Sequence, residues 1–552
     1  MRRLDWAVLC VLLAGCRSAE SKLEDDTAGS QAAEDADADT DADTDADTDS
    51  DTDADTDADA DADADADVDS GESDTGATDT GETGSDKRKK VLTVMIDGWR
   101  PDVIGASRTP TIDGLWADSA YSLEARVEDT TISGSGQSTF VTGVHRDKHG
   151  VPDNNFSDPN FDEYPYWFRY LDEVAPHLVT AAYHTWWPMW ESALGGEDGA
   201  DIGHYWAYAG DDGDARVTTQ IQLDLLTLDP DAIVLMLSDL DTMGHAYGFS
   251  TDVDEYVSAM ELIDEQLGEV LNTIRSRSTY EDEDWMIILS TDHAGTGYGH
   301  GDNIPEHRLV PIFIHGGGVV PGPIWPSPNT VSVAPTALKH LGIDIDPAWN
   351  LDGVPLGGEA TAPPEATFDT NLIVNGDAEM ERGFDGFFPD AALPGWTDEG
   401  WATATAYGSD GFPSMEDIGP DDRGASFLCG GGTTDHTVIW QDIDLSGLSE
   451  PVDGGSVGYQ LAGWLGGYSD QGDRAEVVLQ LFDSAGVALA TETLPAVTSS
   501  ERDDETGLRL RTRFGMIPPF TRSARVTVNM YRSSGYNDGY ADNLVFLMTE
   551  GK

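Results

Sequence analysis

Three apolar runs of strand length each end on an acidic residue, two of them with histidine close behind, and this recurrence constrains the fold more than any other feature of the chain. VLTVMI (91–96) is followed by Asp97, AIVLMLSDL (232–240) by Asp241 and then His245, and WMIILST (285–291) by Asp292 and His293. Runs at 177–182 and 310–314 share the apolar character. Between two of the runs, residues 252–277 place Tyr256, Met260, Ile263, Leu267, Val270 and Ile274 at helical spacing, with Thr251 or Asp252 as the expected cap. Strands that read as continuous apolar runs and alternate with helices imply an α/β fold, a mainly parallel sheet covered by helices on both faces. In such a sheet, groups at the carboxyl ends of the strands meet in one crevice however far apart they lie in sequence.

Asp97, Asp241, His245, Asp292, His293 and one later histidine then make two mixed oxygen and nitrogen ligand sets. Such sets suit two divalent ions, zinc first and manganese or iron after it. The later histidine is expected to be His300, whose flanking glycines let a ligand approach closely; His307 is the alternative. The stretch TTISGSGQSTFVTGVHRDKHGVPDNN (130–155) adds a nucleophile, Ser133, in a small-residue turn ahead of a helix-compatible run, and an amide, Asn154, placed to hold an oxyanion. Thr131 and Ser135 are its rivals as nucleophile. His149 is expected to be a buried or turn histidine and Lys148 a solvated charge, neither with a catalytic role.

Taken in order, IDGWRPD, SGSGQSTFVTG, DKHGV, DTMGH and TDHAG resemble the alkaline phosphatase superfamily, and most closely its type I phosphodiesterase and nucleotide pyrophosphatase branch, over about residues 90–345. The resemblance implies that Asp97, Asp292 and His293 hold one metal together with Ser133, while Asp241, His245 and the later histidine hold the other. It implies hydrolysis of phosphoric esters through a phosphoserine. Two departures narrow this. The Pro and Arg that follow the nucleophile in the sulfatase branch are replaced by Gly134, Ser135, Gly136 and Gln137, and the threonine followed by Phe-Pro-Asn-His of the nucleotide pyrophosphatases is missing. With no arginine in the nucleophile turn to grip a dianion, a small phosphodiester is the expected substrate. The alternatives are a phosphomonoesterase with the same site, or an inactive surface adhesin. Among the many aromatics of 156–208, Trp187 and Trp190 are expected to touch substrate.

The rest of the chain divides by composition. Arg2 and Arg3, a short apolar run and Leu13-Ala14-Gly15-Cys16 read as a signal peptide whose lipobox leaves Cys16 lipidated, so that the protein sits outside the cytoplasm, anchored to a bacterial membrane. Residues 17–86 form an Asp/Ala/Thr spacer; 23–86 hold 27 acidic residues and no Lys or Arg. Residues 91–552 are acidic too, with 75 acidic against 22 basic residues, which excludes gripping duplex nucleic acid through its phosphates. The catalytic domain is expected over 87–345, a linker over 346–370, and an all-β jelly-roll sandwich over 371–552, where short alternating runs are separated by Gly and Asp. NLIVNGDAE and YNDGYADNL resemble the neighbouring end segments of carbohydrate-binding modules, which implies a glycan ligand for the sandwich, with a structural or protein-contact module as the alternative. Glu379 and Asp542 are expected to share a structural calcium there.

Overall fold

A computed structural model describes residues 87–195, 199–207, 212–358, 362–387, 393–398 and 401–550. Cys16 and the acidic spacer lie outside the described residues. Those described belong to one compact unit, Thr83–Lys552.

The first half is an eight-stranded sheet. Its strands are β1 (Arg88–Ile96), β2 (Ser119–Arg126), β3 (Thr180–His184), β4 (Ile202–Tyr205), β5 (Ala232–Leu237), β6 (Glu283–Ser290), β7 (Leu309–Gly316) and β8 (Gly322–Pro323), in the order β4-β3-β5-β1-β6-β7-β2-β8. The block from β4 to β6 is parallel, and β7 runs antiparallel to both of its neighbours. The helices used below are α1 (Ser133–Thr142), α2 (Trp167–Val174), α3 (Gly213–Thr227), α4 (Asp239–Tyr247), α5 (Asp254–Ser276) and α6 (Val333–His340). Because successive strand residues point to opposite faces, Val91 and Met95 pack with α1, α2 and α6 on one side. Leu92, Val94 and Ile96 pack with α3 and α5 on the other. Both faces of the sheet are therefore dry, as its unbroken apolar strands require.

The six residues at helical spacing on α5 are all buried. The helix starts two residues later than expected: neither Thr251 nor Asp252 caps it, and its N-cap, Val253, makes no side-chain bond. Asp254 and Glu255 in the first turn complement the helix dipole instead. The strand expected at 177–182 is likewise displaced and runs Thr180–His184. Among the described residues no helix is long and apolar enough to cross a membrane.

The second half is a sandwich of two five-stranded antiparallel sheets. Its strands are β9 (Thr397–Asp398), β10 (Thr403–Ala406), β11 (Ser426–Cys429), β12 (His436–Asp444), β13 (Val457–Gly467), β14 (Arg474–Phe482), β15 (Ala488–Leu494), β16 (Gly507–Met516), β17 (Ser523–Tyr531) and β18 (Tyr540–Glu550). One sheet is ordered β10-β11-β18-β13-β16 and the other β15-β14-β17-β12-β9. The segment NLIVNGDAE lies beside β18 as an irregular strap. Leu372 N donates to Phe546 O at 2.8 Å and Leu544 N to Gly376 O at 2.9 Å.

The stretch between the halves folds onto the first. Asp352 and Gly353 both donate their N–H to Gly143 O beyond the end of α1, and Trp349 stacks on Tyr170 of α2 with ring centroids 4.3 Å apart. Lys148, expected to be solvated, is nearly buried, with its ammonium 2.7 Å from Asp352. Arg382 of the sandwich reaches the same Asp352 at 2.6 Å and also pairs with Asp147. Its guanidinium covers the ring of Phe384, which meets His145 edge to face.

Candidate active site

The carboxyl ends of β1, β5 and β6 deliver three carboxylates to one place. Asp97 follows β1 directly, and its N–H is held by Leu237 O at the end of β5. Gly98, at φ +72°, brings that turn so close to Asp241 that an added Cβ would lie 3.0 Å from its side chain. Asp241 sits in the first turn of α4 with His245 one turn on, so both occupy one helix face. Asp292 and His293 follow β6 and are fully buried.

Ser133 opens α1, and the two glycines after it explain the small-residue block. A Cβ on Gly134 would lie 2.4 Å from Asp153 O, and one on Gly136 would lie 2.2 Å from Asp292 O. Only a helix edge without side chains can wedge between these two backbones. Ser133 Oγ thereby comes to 3.3 Å from His293 Nε2. Neither rival hydroxyl has that position. Thr131 spends its Oγ1 on Asp302 O and Gly301 N, and Ser135 is wholly buried with no hydrogen-bond partner. Asn154 is exposed beside the helix start; its Oδ1 accepts the Gly134 N–H at 2.8 Å, which leaves the amide NH2 as its free donor.

Three histidines are anchored alike. Nδ1 of His245 donates to Tyr298 O, that of His293 to Ala294 O and that of His300 to Thr131 O, at 3.0, 3.2 and 2.7 Å. A carbonyl can only accept, so each neutral imidazole presents its Nε2 lone pair to the centre. His293 Nε2 lies 3.5 Å from Asp97 and 3.7 Å from Asp292; Asp241 lies 3.5 Å from His245 Nε2 and 3.7 Å from His300 Nε2. His245 Nε2 and His300 Nε2 stand 3.0 Å apart.

The donor atoms of Asp97, Asp292 and His293 converge within 4.8 Å, and so do those of Asp241, His293 and His300. His245 adjoins the second group, and His293 faces both. Burial pushes the Asp97 and Asp241 carboxyls well above the usual range and raises Asp292, while it lowers His293 to about 3 and, together with His293, His300 to about 2. Among the described residues no Lys or Arg bonds to any of these side chains. Asp97 Oδ1 and Asp241 Oδ1 are buried without a hydrogen-bond partner. Facing lone pairs, unopposed carboxylates and orphaned oxygens are stabilised together by cations, so the donor set fits divalent metal.

Sequence reasoning passed over Gln137. Its Nε2 lies 3.1 Å from Asp292 Oδ2 and 3.4 Å from Asp97 Oδ2, which places an amide between two carboxylates. The signal was its i+4 spacing from Ser133, which puts both on one face of α1. His307 bonds Thr296 and Asp302 and lies apart from both ligand groups. His149 is buried against Thr139.

Trp187 is exposed on a short helical turn, Trp187–Met189, packed against α1, and meets Tyr205 edge to face at 5.2 Å; Trp190 stacks on the same tyrosine. In the sandwich, Glu379 accepts the Ser426 N–H at 2.7 Å and Asp542 the Tyr407 hydroxyl at 2.7 Å. Burial, with the charge of Glu379 nearby, pushes Asp542 up to about 7.

A family model described as type I phosphodiesterase / nucleotide pyrophosphatase matches residues 91–213. The chain is 30% identical over 132 residues to GPI ethanolamine phosphate transferase 1 of Neurospora crassa, covering 24% of this chain and 12% of that protein. It is 25% identical over 223 residues to venom phosphodiesterase 2 of Crotalus adamanteus, covering 38% of this chain and 27% of that one. The chain thus spans about an eighth to a quarter of these relatives. Among solved structures it is similar to murine ectonucleotide pyrophosphatase / phosphodiesterase 5, at 15% identity and a TM-score of 0.38, covering 46% of this chain and 96% of that chain.

Proposed function

We propose that the chain, which matches a type I phosphodiesterase / nucleotide pyrophosphatase family model over residues 91–213, is a metal-dependent hydrolase of small phosphodiesters that works through a phosphoserine. The observation that carries this reading is Ser133 Oγ, held at 3.3 Å from His293 Nε2 at the open end of α1, between two groups of metal-type donors. Asp97, Asp292 and His293 would hold one divalent ion with Ser133, and Asp241, His245 and His300 another. Bound there, such ions lower the pKa of the serine hydroxyl and take up charge on the departing oxygen. Zinc suits the donors best.

Ser133 Oγ attacks phosphorus in line and the alcohol leaves; water then cleaves the phosphoserine and regenerates the hydroxyl. Asn154 donates its free NH2 to a non-bridging oxygen as charge builds there, a contribution of about 2 to 4 kcal/mol for a donor of this kind. Gln137 keeps the two carboxylates oriented. Among the described residues no Lys or Arg bonds to the candidate ligand side chains, which favours the single charge of a diester over a monoester dianion. Ser133→Ala should abolish hydrolysis of bis(p-nitrophenyl) phosphate while metal content by elemental analysis stays intact. Ser135→Ala should do much less, and the reverse ranking would overturn the assignment.

The sandwich has an open groove of about 730 Å3 lined by Trp464, Leu510, Arg509, Arg511 and Glu501, beside a second hollow of about 420 Å3 that shares Trp464 and Leu510. An aromatic platform ringed by polar groups suits a glycan. Trp464→Ala should then remove retardation in polysaccharide-containing gels. Outside the described residues, Cys16 would carry the lipid anchor and the acidic spacer the stalk; Cys16→Ser should release the protein from membranes.

A further inference from the structure

We infer that Asp214, on α3, is a positioning residue for one of the two metal groups. It fixes the start of the helix that carries Asp241 and His245, and so sets the affinity of that ion alone. The inference rests on the reading of Asp241, His245 and His300 as ligands.

A helix opens with N–H groups that none of its own carbonyls can accept. In α4 the N-cap, Ser238, makes no side-chain bond to them. The acceptor comes instead from the first turn of α3, 24 residues upstream. Asp214 Oδ1 accepts the Ser238 N–H and Oδ2 the Asp239 N–H, both at 2.9 Å. The Asp214 carboxyl is wholly buried, and Thr185, the residue after β3, bonds it and also lies 2.7 Å from Ser238 Oγ. Two segments distant in sequence thus close on the start of α4.

Asp241 lies two residues beyond the second of these bonds. Gly98 approaches it so closely that an added Cβ would lie 3.0 Å away, and Asp241 Oδ1 is buried without a hydrogen-bond partner. A shift of the first turn of α4 therefore moves a ligand oxygen that no other bond holds, and His245, one turn on, moves with it. Asp97, Asp292 and His293 have no such dependence, because they follow β1 and β6 directly and ride on strands inside the sheet. Loss of the Asp214 bonds should loosen one ion and spare the other. The chain also carries its own control for capping as such. Asp264, 1% exposed on α5, accepts the Thr111 N–H at 3.0 Å and the Ile112 N–H at 2.9 Å, and so caps the short helix Pro110–Trp116, which holds no ligand.

The test follows zinc as a chromophoric chelator withdraws it from the zinc-loaded, full-length protein. Asp241→Asn identifies, by its loss, the release step that belongs to the group on α4. Asp214→Asn, whose amide can accept only one of the two N–H groups, should weaken that step by roughly 10- to 100-fold and leave the other step in place. Thr185→Val, similar in shape, should weaken the same step severalfold and keeps the test open if Asp214→Asn does not fold. Asp264→Asn should lower the melting temperature and change neither step. Unaltered release from Asp214→Asn and Thr185→Val, equal weakening of both steps, or the same selective loss in Asp264→Asn would overturn the positioning role. Fewer than two zinc ions on the unaltered protein would overturn the ligand reading itself, and the inference with it.

Discussion

Arg126 on β2 reaches Asp398 on β9 with 2.6 Å between Nη1 and Oδ2, and the two side chains are 5% and 1% exposed. A pair this dry joins the α/β half to the sandwich as a core contact would. Removing one partner leaves an uncompensated buried charge, and Arg308, whose pKa burial lowers, would lose the opposing attraction of the same carboxylate. Asp398→Ala should therefore destabilise the folded chain by about 3 kcal/mol and move both halves together in one thermal transition. A melting temperature within a degree of the unaltered protein would show that the pair is dispensable.

Replacing Gln137 tests the bridge between carboxylates. Gln137→Leu keeps the volume and removes the amide, leaving Asp97 and Asp292 to face each other without their shared donor. Loss of such an outer hydrogen bond lowers metal affinity by roughly 10- to 100-fold. Competition with a chromophoric chelator measures it, and an unchanged affinity would reduce Gln137 to packing.

Two glycines give opposite forecasts. Gly136→Ala must drive α1 away from Asp292 O, at a cost of about 1 to 3 kcal/mol from overpacking, and should impair turnover because the same helix carries Ser133. At Gly105 a Cβ meets nothing within 4 Å. Gly105→Ala should leave activity intact and stabilise by up to about 1 kcal/mol. Urea titration and kinetics on both variants separate the two cases.

Stability should fall as pH rises past neutrality. Burial alone would lower the pKa of His145, but Glu128 at 2.9 Å outweighs it and raises the imidazole from 6.5 to about 9, with Asp352 and Glu381 adding to the attraction. A histidine raised in the fold contributes stability that is complete below its unfolded pKa and is lost as pH climbs through the folded value, here from 6.5 to about 9. Burial also raises Glu381, from 4.5 to about 7, so its own loss of stability falls between those values, ahead of that of His145. Melting temperatures recorded from pH 6 to 9.5 should decline, and Glu128→Gln should flatten the slope above pH 7. A parallel slope in the variant would sink this account.

Much of the fold was legible because burial on both faces writes a sheet strand as an uninterrupted apolar run: the run that begins at Ala232 carries β5, Ala232–Leu237, and α5 kept all six of its core positions. That Asp97, Asp292 and His293 converge was legible for a related reason, since groups directly after such runs collect at one end of the sheet; that His293 also faces Asp241 and His300 was not. What escaped depends on partners distant in sequence. Nothing near Lys148 announces Asp352, 204 residues on, and nothing near Arg126 announces Asp398. Gln137 looked like one more polar helix residue until its neighbours were Asp97 and Asp292. The cap of α5 escaped because the chain turns at Ser250, whose Oγ takes the Asp252 N–H, and leaves the expected caps outside the helix.

β18 lies inside its sheet, paired to β11 on one side and β13 on the other, and the strap that begins at Asn371 leans on it as well. The sandwich has no closed core until this strand is in place, although its partners precede it by 73 residues or more along β13 and further along β11. During synthesis the α/β half therefore emerges long before Asp398 and Arg382 can settle against it. Arg126 waits without Asp398, and Asp147 and Asp352 without Arg382, through that interval. The order of emergence makes completion of the α/β half a late event, timed by the arrival of a strand that belongs to the other half.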